Sequence, residues 1–361
     1  MRIDQIDKNF EIKSQITEPD LVWYPIDEAP FSIHGVLYDE SCGRYLRIPN
    51  DVAKSVSQGV SQGNTWTTGG RVRFKTNSSY IAITAKIQQP WFISQMSRAG
   101  MSGFDIYRDL DGKQTYFRTF LPPESWEDGY AGGTRTYGEL TDYTIYFPQY
   151  SGFEKLFIGL KKDAILEAAE PYENTLPIVY YGSSITCGGC ASRPGNNYPA
   201  FLSRRLNTDY INLGFSGNAK GEHEMAQYIS DLKMKLLVIE YDSNAPSVEW
   251  LENTHYPFFK TIREANPDLP IVMISHCAAL HAVSYEMNGG GWGSFDDRRA
   301  VIKNTYLRAK ADGDENVYFV DGREIFKGDE WDAVTVEGVH PNDFGFMRFA
   351  QYLEKILKPL M

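Results

Sequence analysis

The period of the apolar residues changes near residue 175, and a chain with two periods builds two kinds of layer. Between residues 65 and 160 the apolar residues fall in short runs: RVRFK (71–75), YIAITAKI (80–87), FDIYR (104–108), TYFRTF (115–120), YTIYF (143–147) and KLFIGL (155–160). Thr68-Gly69-Gly70, Asn77-Ser78-Ser79, Asp111-Gly112 and Ser151-Gly152 separate them as turns. A period of two puts alternate side chains on one face. These runs therefore read as strands, and their number and spacing predict a β-sandwich or jelly roll. No helical period is visible over residues 65–160.

Beyond residue 175 strands and helices alternate. PIVYY, DYINLG, LLVIEYD (236–242), PIVMIS (270–275) and VYFVDG (317–322) read as strands. YPAFLSRRL (198–206), GEHEMAQYISDL, VEWLENTHYPFFKTIREAN (248–266), DRRAVIKNTYLRAKAD (297–312) and FGFMRFAQYLEKILK (344–358) read as helices. Alternation of this kind makes βαβ units and a parallel sheet covered on both faces. The expected fold class is α/β: a three-layer α/β/α, flavodoxin-like domain over residues 173–361, preceded by an all-β domain over 1–172. The joint falls in AAEPYENTLP (168–177), and 361 residues suit two domains better than one.

Composition narrows the partners. The net charge of −11 argues against nucleic acid or an anionic membrane, which call for stripes of Lys and Arg. No run approaches the roughly 18 apolar residues that span a bilayer. The polar start, MRIDQIDKNFEIKSQITEPD, shows no signal peptide, so a cytoplasmic location is expected. Four cysteines do not make a disulfide framework. Aromatic residues reach 14%, with 23 Tyr, which suits strand packing and also sugar-stacking surfaces. Oligomeric state is left open.

In an open parallel sheet, ligands bind at the carboxyl ends of the strands. Four loops there carry chemistry: Gly182-Ser183-Ser184-Ile185-Thr186, Asn212-Leu213-Gly214-Phe215-Ser216-Gly217-Asn218, Glu240-Tyr241-Asp242-Ser243-Asn244, and Glu337-Gly338-Val339-His340. They supply a hydroxyl, glycine N–H groups, an amide and a carboxylate–imidazole pair. Those are the parts of an acyl-transfer site. Each loop alone is commonplace; their order at successive strand ends is not. GxSxG, the elbow of α/β-hydrolases, is absent. Cys187 and Cys190 form a CxxC that reads as small buried thiols, with a disulfide or half a zinc site as alternatives. His276, Cys277 and His281 read as polar lining rather than a metal site, and Asn288 to Gly293, with Trp292, as a lid or a plain surface loop. No metal and no cofactor is expected.

GSSIT, NLGFSGN, YDSNAP and EGVHPND resemble the four blocks of the SGNH (GDSL-type) hydrolases. Gly103-Phe104-Asp105-Ile106-Tyr107 resembles the GxDLY signature of a bacterial subgroup that carries an N-terminal β-sandwich. The resemblance implies Ser184 as nucleophile, His340 as general base, Glu337 in the place of the usual Asp, and an oxyanion hole from the N–H groups of Ser184 and Gly217 with the Asn244 amide. Glu is one methylene longer than Asp, so reaching His340 requires a bent rotamer or a shifted loop. Asp242, Arg193, Trp292, His276 and Trp331 are candidate substrate contacts. The resemblance further implies a serine esterase acting on O-acetyl groups of an oligosaccharide. An acyltransferase using the same acyl-enzyme is the alternative among enzymes, and a carbohydrate-binding protein with an inactive hydrolase domain the alternative among binding proteins.

Overall fold

The computed structural model describes residues 16–277, 295–327 and 332–361. The chain divides into two compact units. One holds residues 1–47, 65–172 and 192–195, the other residues 48–64, 173–191 and 196–361.

The first unit is built on two antiparallel sheets. One has the order Leu21–Pro25, Phe153–Lys161, Tyr80–Ile87, Gly129–Arg135. The other runs Leu166–Glu167, Arg71–Thr76, Thr141–Tyr146, Phe104–Leu110, Lys113–Phe120, with Ser32–His34 also paired to Arg71–Thr76. Both contribute to one apolar core, in which Ile81, Ile83 and Ile158 from the first sheet pack with Val72, Phe74, Ile106 and Ile145 from the second. Burying each such side chain contributes roughly 1.5–3 kcal/mol. A five-residue helix, Arg98–Ser102, interrupts the interval in which no helical period was visible. It is too short to display a period, and its signal is instead the Ser97 hydroxyl accepting from Gly100 N at 2.9 Å.

The second unit is a parallel sheet, whose strands are numbered within the unit: β1 (Asn174–Gly182), β2 (Thr208–Gly214), β3 (Leu236–Glu240), β4 (Ile271–Ile274) and β5 (Val317–Val320). Their order is β2-β1-β3-β4-β5 and every pairing is parallel. That is the flavodoxin-like order. Alternation along β1 sends Val179 and Tyr181 into one core and Tyr180 to the other face. The first core also takes residues from α5 (His223–Ser230), α6 (Val248–Ala265) and α7 (Phe295–Ala311). On the second face, Tyr180 meets Tyr198 of α4 (Tyr198–Leu206) edge-on at 5.5 Å. Tyr198 stacks on Phe349 of α8 (Asp343–Leu357) at 4.4 Å. Two short helices from the first half of the chain, α1 (Asn50–Val56) and α2 (Gln58–Gly63), complete the first core through Ala53 and Val60. No helix among the described residues is long and apolar enough to cross a membrane.

Candidate active site

β1 ends at Gly182, in register with Gly214 of β2 and Glu240 of β3. The loops that follow these three strands therefore start side by side. Gly182 has to be glycine, because a Cβ there would lie 2.1 Å from Thr186 Oγ1 and 2.4 Å from the Glu240 carbonyl. The chain turns at Ser183, whose hydroxyl accepts from Ile185 N at 3.1 Å, and opens a single helical turn, α3 (Ser184–Cys187). Over residues 178–191 every residue is buried except Ser184.

The two serines of the turn have different partners. Ser183 is 0% exposed, and its hydroxyl donates to the Glu240 carboxyl at 2.8 and 3.0 Å. Thr186 donates to the same carboxyl at 2.8 Å. Burial, and then the Asp242 charge, push Glu240 up to about 8. Ser184 Oγ instead lies 2.8 Å from His340 Nε2. On the far side of the ring, Nδ1 is hydrogen-bonded to Glu337 Oε1, which also accepts from His340 N at 3.0 Å. Burial raises the Glu337 carboxyl, but the hydrogen bond and charge of His340 outweigh it, and the net shift is downward. The turn holding both residues is pinned by Val336 N donating to the His340 carbonyl at 2.9 Å and by Gly338 N donating to Thr335 Oγ1 at 3.1 Å. Directly after it, Asn342 caps α8, accepting from Gly345 N at 3.0 Å.

The expected oxyanion donors occupy the neighbouring strand ends. Gly217 has φ +68° and nothing within 4 Å of where a Cβ would stand, so its backbone borders open space. Asn244 Nδ2 donates to the Phe215 carbonyl at 3.0 Å, which ties the loop after β3 to the loop after β2 and leaves a second amide proton.

The remaining candidates lie as follows. Asp242 is buried and spends its carboxylate on backbone, accepting from His276 N at 2.9 Å and Ser243 N at 2.8 Å; burial pushes it up to about 6. His276 stacks on Phe295 at 4.5 Å, and both its ring nitrogens are buried without a partner among the described residues. Burial, with the charge of His340 second, holds it down to about 3, so the ring is neutral. Arg193 belongs to the first unit, where its Nη1 donates to Asp105 at 2.8 Å and Tyr107 at 2.6 Å, and its guanidinium lies 3.8 Å from the Tyr116 ring centre. Asp105, in the GFDIY stretch, also accepts from Thr119 at 2.6 Å and Gly195 N at 2.9 Å. Trp292, His281 and Trp331 lie outside the described residues.

Cys187 and Cys190 are buried thiols with no disulfide between them. Cys190 Sγ lies 4.0 Å from Glu337 Oε2, and burial followed by the Glu337 charge pushes the thiol up to about 12. Cys190, Glu337 and His340 present donor atoms within 4.8 Å of one another. Two of those donors already bond each other, and a closed zinc site takes four. Sequence reasoning missed Glu240. Its signal is an acid ending the otherwise apolar run LLVIE.

Comparison with known proteins adds the family. Residues 175–358 match the GDSL-like Lipase/Acylhydrolase family, and residues 21–166 match the N-terminus of Esterase_SGNH_hydro-type proteins. No curated protein matches the chain. A Bacteroides ovatus protein assigned to the GDSL-like lipases is 26% identical with a TM-score of 0.83, over 94% of this chain and 98% of that one. A salicylyl-acyltransferase from a tetracycline biosynthetic pathway is 18% identical with a TM-score of 0.77, over 95% and 98%. An acetyl xylan esterase from the rumen bacterium Butyrivibrio proteoclasticus is 13% identical with a TM-score of 0.57, over 94% and 98%. The last two are likenesses of fold.

Proposed function

The chain belongs to the GDSL-like lipase and acylhydrolase family and is a carboxylic ester hydrolase, and from that premise we propose that it removes acetyl groups from an oligosaccharide through an acyl-enzyme on Ser184. The observation that carries this reading is the 2.8 Å contact from Ser184 Oγ to His340 Nε2, with Glu337 on the other ring nitrogen. Ser184 Oγ attacks the ester carbonyl carbon as its proton passes to His340 Nε2. The oxyanion meets the N–H groups of Ser184 and Gly217 and the Asn244 amide, each such donor being worth about 2.7–4 kcal/mol of barrier. Collapse breaks the ester C–O bond, and His340 returns the proton to the departing sugar hydroxyl. Water then attacks the acetyl–Ser184 carbonyl, giving its proton to His340, and acetate leaves as Ser184 is reprotonated. Glu337 fixes the His340 tautomer and stabilises the imidazolium.

Acetyl is favoured over long acyl chains because the partly exposed residues of the neighbouring strand-end loops are small or polar: Ser216, Gly217, Asn218, Ser243 and Asn244. Each buried CH₂ is worth about 0.8 kcal/mol, a gain that needs an apolar trough. The carbohydrate half of the reading draws on the likeness to an acetyl xylan esterase and on the aromatic content. The first unit is read as a β-sandwich, on the apolar core its two sheets share. Acyl transfer differs only in the acceptor that meets acetyl–Ser184. The test is acetate release from acetylated xylo-, manno- and cello-oligosaccharides, with positions read by NMR and alcohol acceptors added in parallel. Acetate is expected from at least one. No release from any, together with p-nitrophenyl ester turnover that rises beyond butyrate, would sink the acetylesterase reading.

A further inference from the structure

The first unit contains a cleft of about 170 Å³, and the described residues that line it all belong to that unit. One wall is aromatic: the partly exposed ring of Trp66 is backed by the buried ring of Tyr150, 4.7 Å away at an interplanar angle of 33°. The other is ionic. Glu154 Oε2 lies 2.7 Å from Lys86 Nζ, and its Oε1 lies 4.0 Å from Arg44 Nη2. These three side chains are each 28–37% exposed, so their charges are held together while remaining accessible. Gln88 stands exposed at the edge. Immediately after Pro90, another lining residue, the chain exposes two large aromatics, Trp91 at 91% and Phe92 at 57%. A tryptophan so nearly bare is unusual, because burying its ring is favourable and most tryptophans are largely buried.

The chemistry of this cleft selects its ligand. A bare anion would meet Lys86 and Arg44, but Glu154 already sits between them and repels it. A flat apolar ligand would suit Trp66 and Tyr150 but would cover the three charges without offering them partners. A sugar ring satisfies both walls. Its C–H face packs on an aromatic surface, and its hydroxyls both donate, to Glu154, and accept, from Lys86, Arg44 and Gln88. We propose that the N-terminal unit carries a non-catalytic oligosaccharide-binding cleft. It seats one sugar ring between the Trp66–Tyr150 wall and the Arg44–Glu154–Lys86 cluster, with Trp91 as a platform for the next ring. The proposal goes beyond the esterase reading, and its test does not pass through Ser184.

The experiment titrates the full chain with xylohexaose, cellohexaose, mannohexaose and galactohexaose, following the tryptophan indole N–H resonances. Trp66→Ala and Glu154→Gln are titrated in parallel. At least one hexaose should shift an indole resonance that is absent in Trp66→Ala. Its affinity should fall by about tenfold in each variant. Turnover of p-nitrophenyl acetate should stay within about twofold of the parent in both. Glu154→Gln keeps the aromatic wall and serves as the second reading should Trp66→Ala fold poorly. The proposal is overturned if no hexaose binds up to about 10 mM. It is equally overturned if Glu154→Gln or a folded Trp66→Ala binds as tightly as the parent. Loss of p-nitrophenyl acetate turnover in the parent chain would instead count against the esterase reading and leave the cleft standing.

Discussion

The extra methylene of Glu337 is taken up by folding the side chain back over its own turn. One oxygen then serves both the backbone N–H and the ring of His340. The sequence left open whether a Glu could reach; here it does, from the turn that leads directly into α8. Glu337→Gln keeps the shape and removes the charge. It should lower kcat about 10²–10⁴-fold with KM little changed. Near-normal kcat in steady-state assays would mean that His340 works with Ser184 alone. Ser183 gives the opposite lesson. Beside Ser184 in sequence, it faces away from it, into the Glu240 carboxyl. With its carboxyl pushed from 4.5 up to about 8, Glu240 keeps its proton in the folded chain after the unfolded chain has released it. Its contribution to stability is therefore complete below about pH 4.5, declines as pH rises, and is gone above about pH 8. Melting temperature measured across that window should fall more steeply in the parent than in Glu240→Gln, and equal slopes would contradict the assignment.

At the scale of elements, the GFDIY strand has a physical task beyond core packing. Phe104 and Ile106 point into the core, while Asp105, wholly buried, gathers Thr119, Gly195 N and Arg193 on the alternate face. Asp105 is wholly buried while the Arg193 side chain is 21% exposed, so removing Arg193 strands a buried carboxylate, whereas removing Asp105 leaves a cation that still reaches water. Arg193→Ala should destabilise the chain by about 3–5 kcal/mol, and Asp105→Asn by less. The double variant should lose less than the sum by more than about 1 kcal/mol in urea unfolding. Strict additivity would show that the pair is not coupled. Most of these elements were legible because period two and period 3.6 are written in side chains. Gly129–Arg135 was not, since three of its seven residues are glycines, Gly129, Gly132 and Gly133, which carry no pattern. Asp105's partner was not legible either, because Arg193 stands 88 residues away in a loop with no period of its own.

At the scale of the whole molecule, a division by sequence position cannot express how the units are composed. Ala53 and Val60 come from the first half of the chain yet lie fully buried in the core of the second unit, and residues 192–195 belong to the first. Short insertions of this kind leave no change of period to read. The strand-end loops were legible because an open parallel sheet gathers them at one edge whatever lies between them. The register of Gly182 with Gly214 and Glu240 shows that gathering residue by residue. That Ser184, and not Ser183, is the nucleophile at this edge is the proposal on which the esterase reading rests. It is tested most directly by reacting the full chain with a p-nitrophenyl alkylphosphonate and locating the adduct by peptide mass spectrometry. One stoichiometric adduct on Ser184 is expected, with none in Ser184→Ala and retained labelling in Ser183→Ala. An adduct on Ser183, or no adduct on a folded chain, would contradict it.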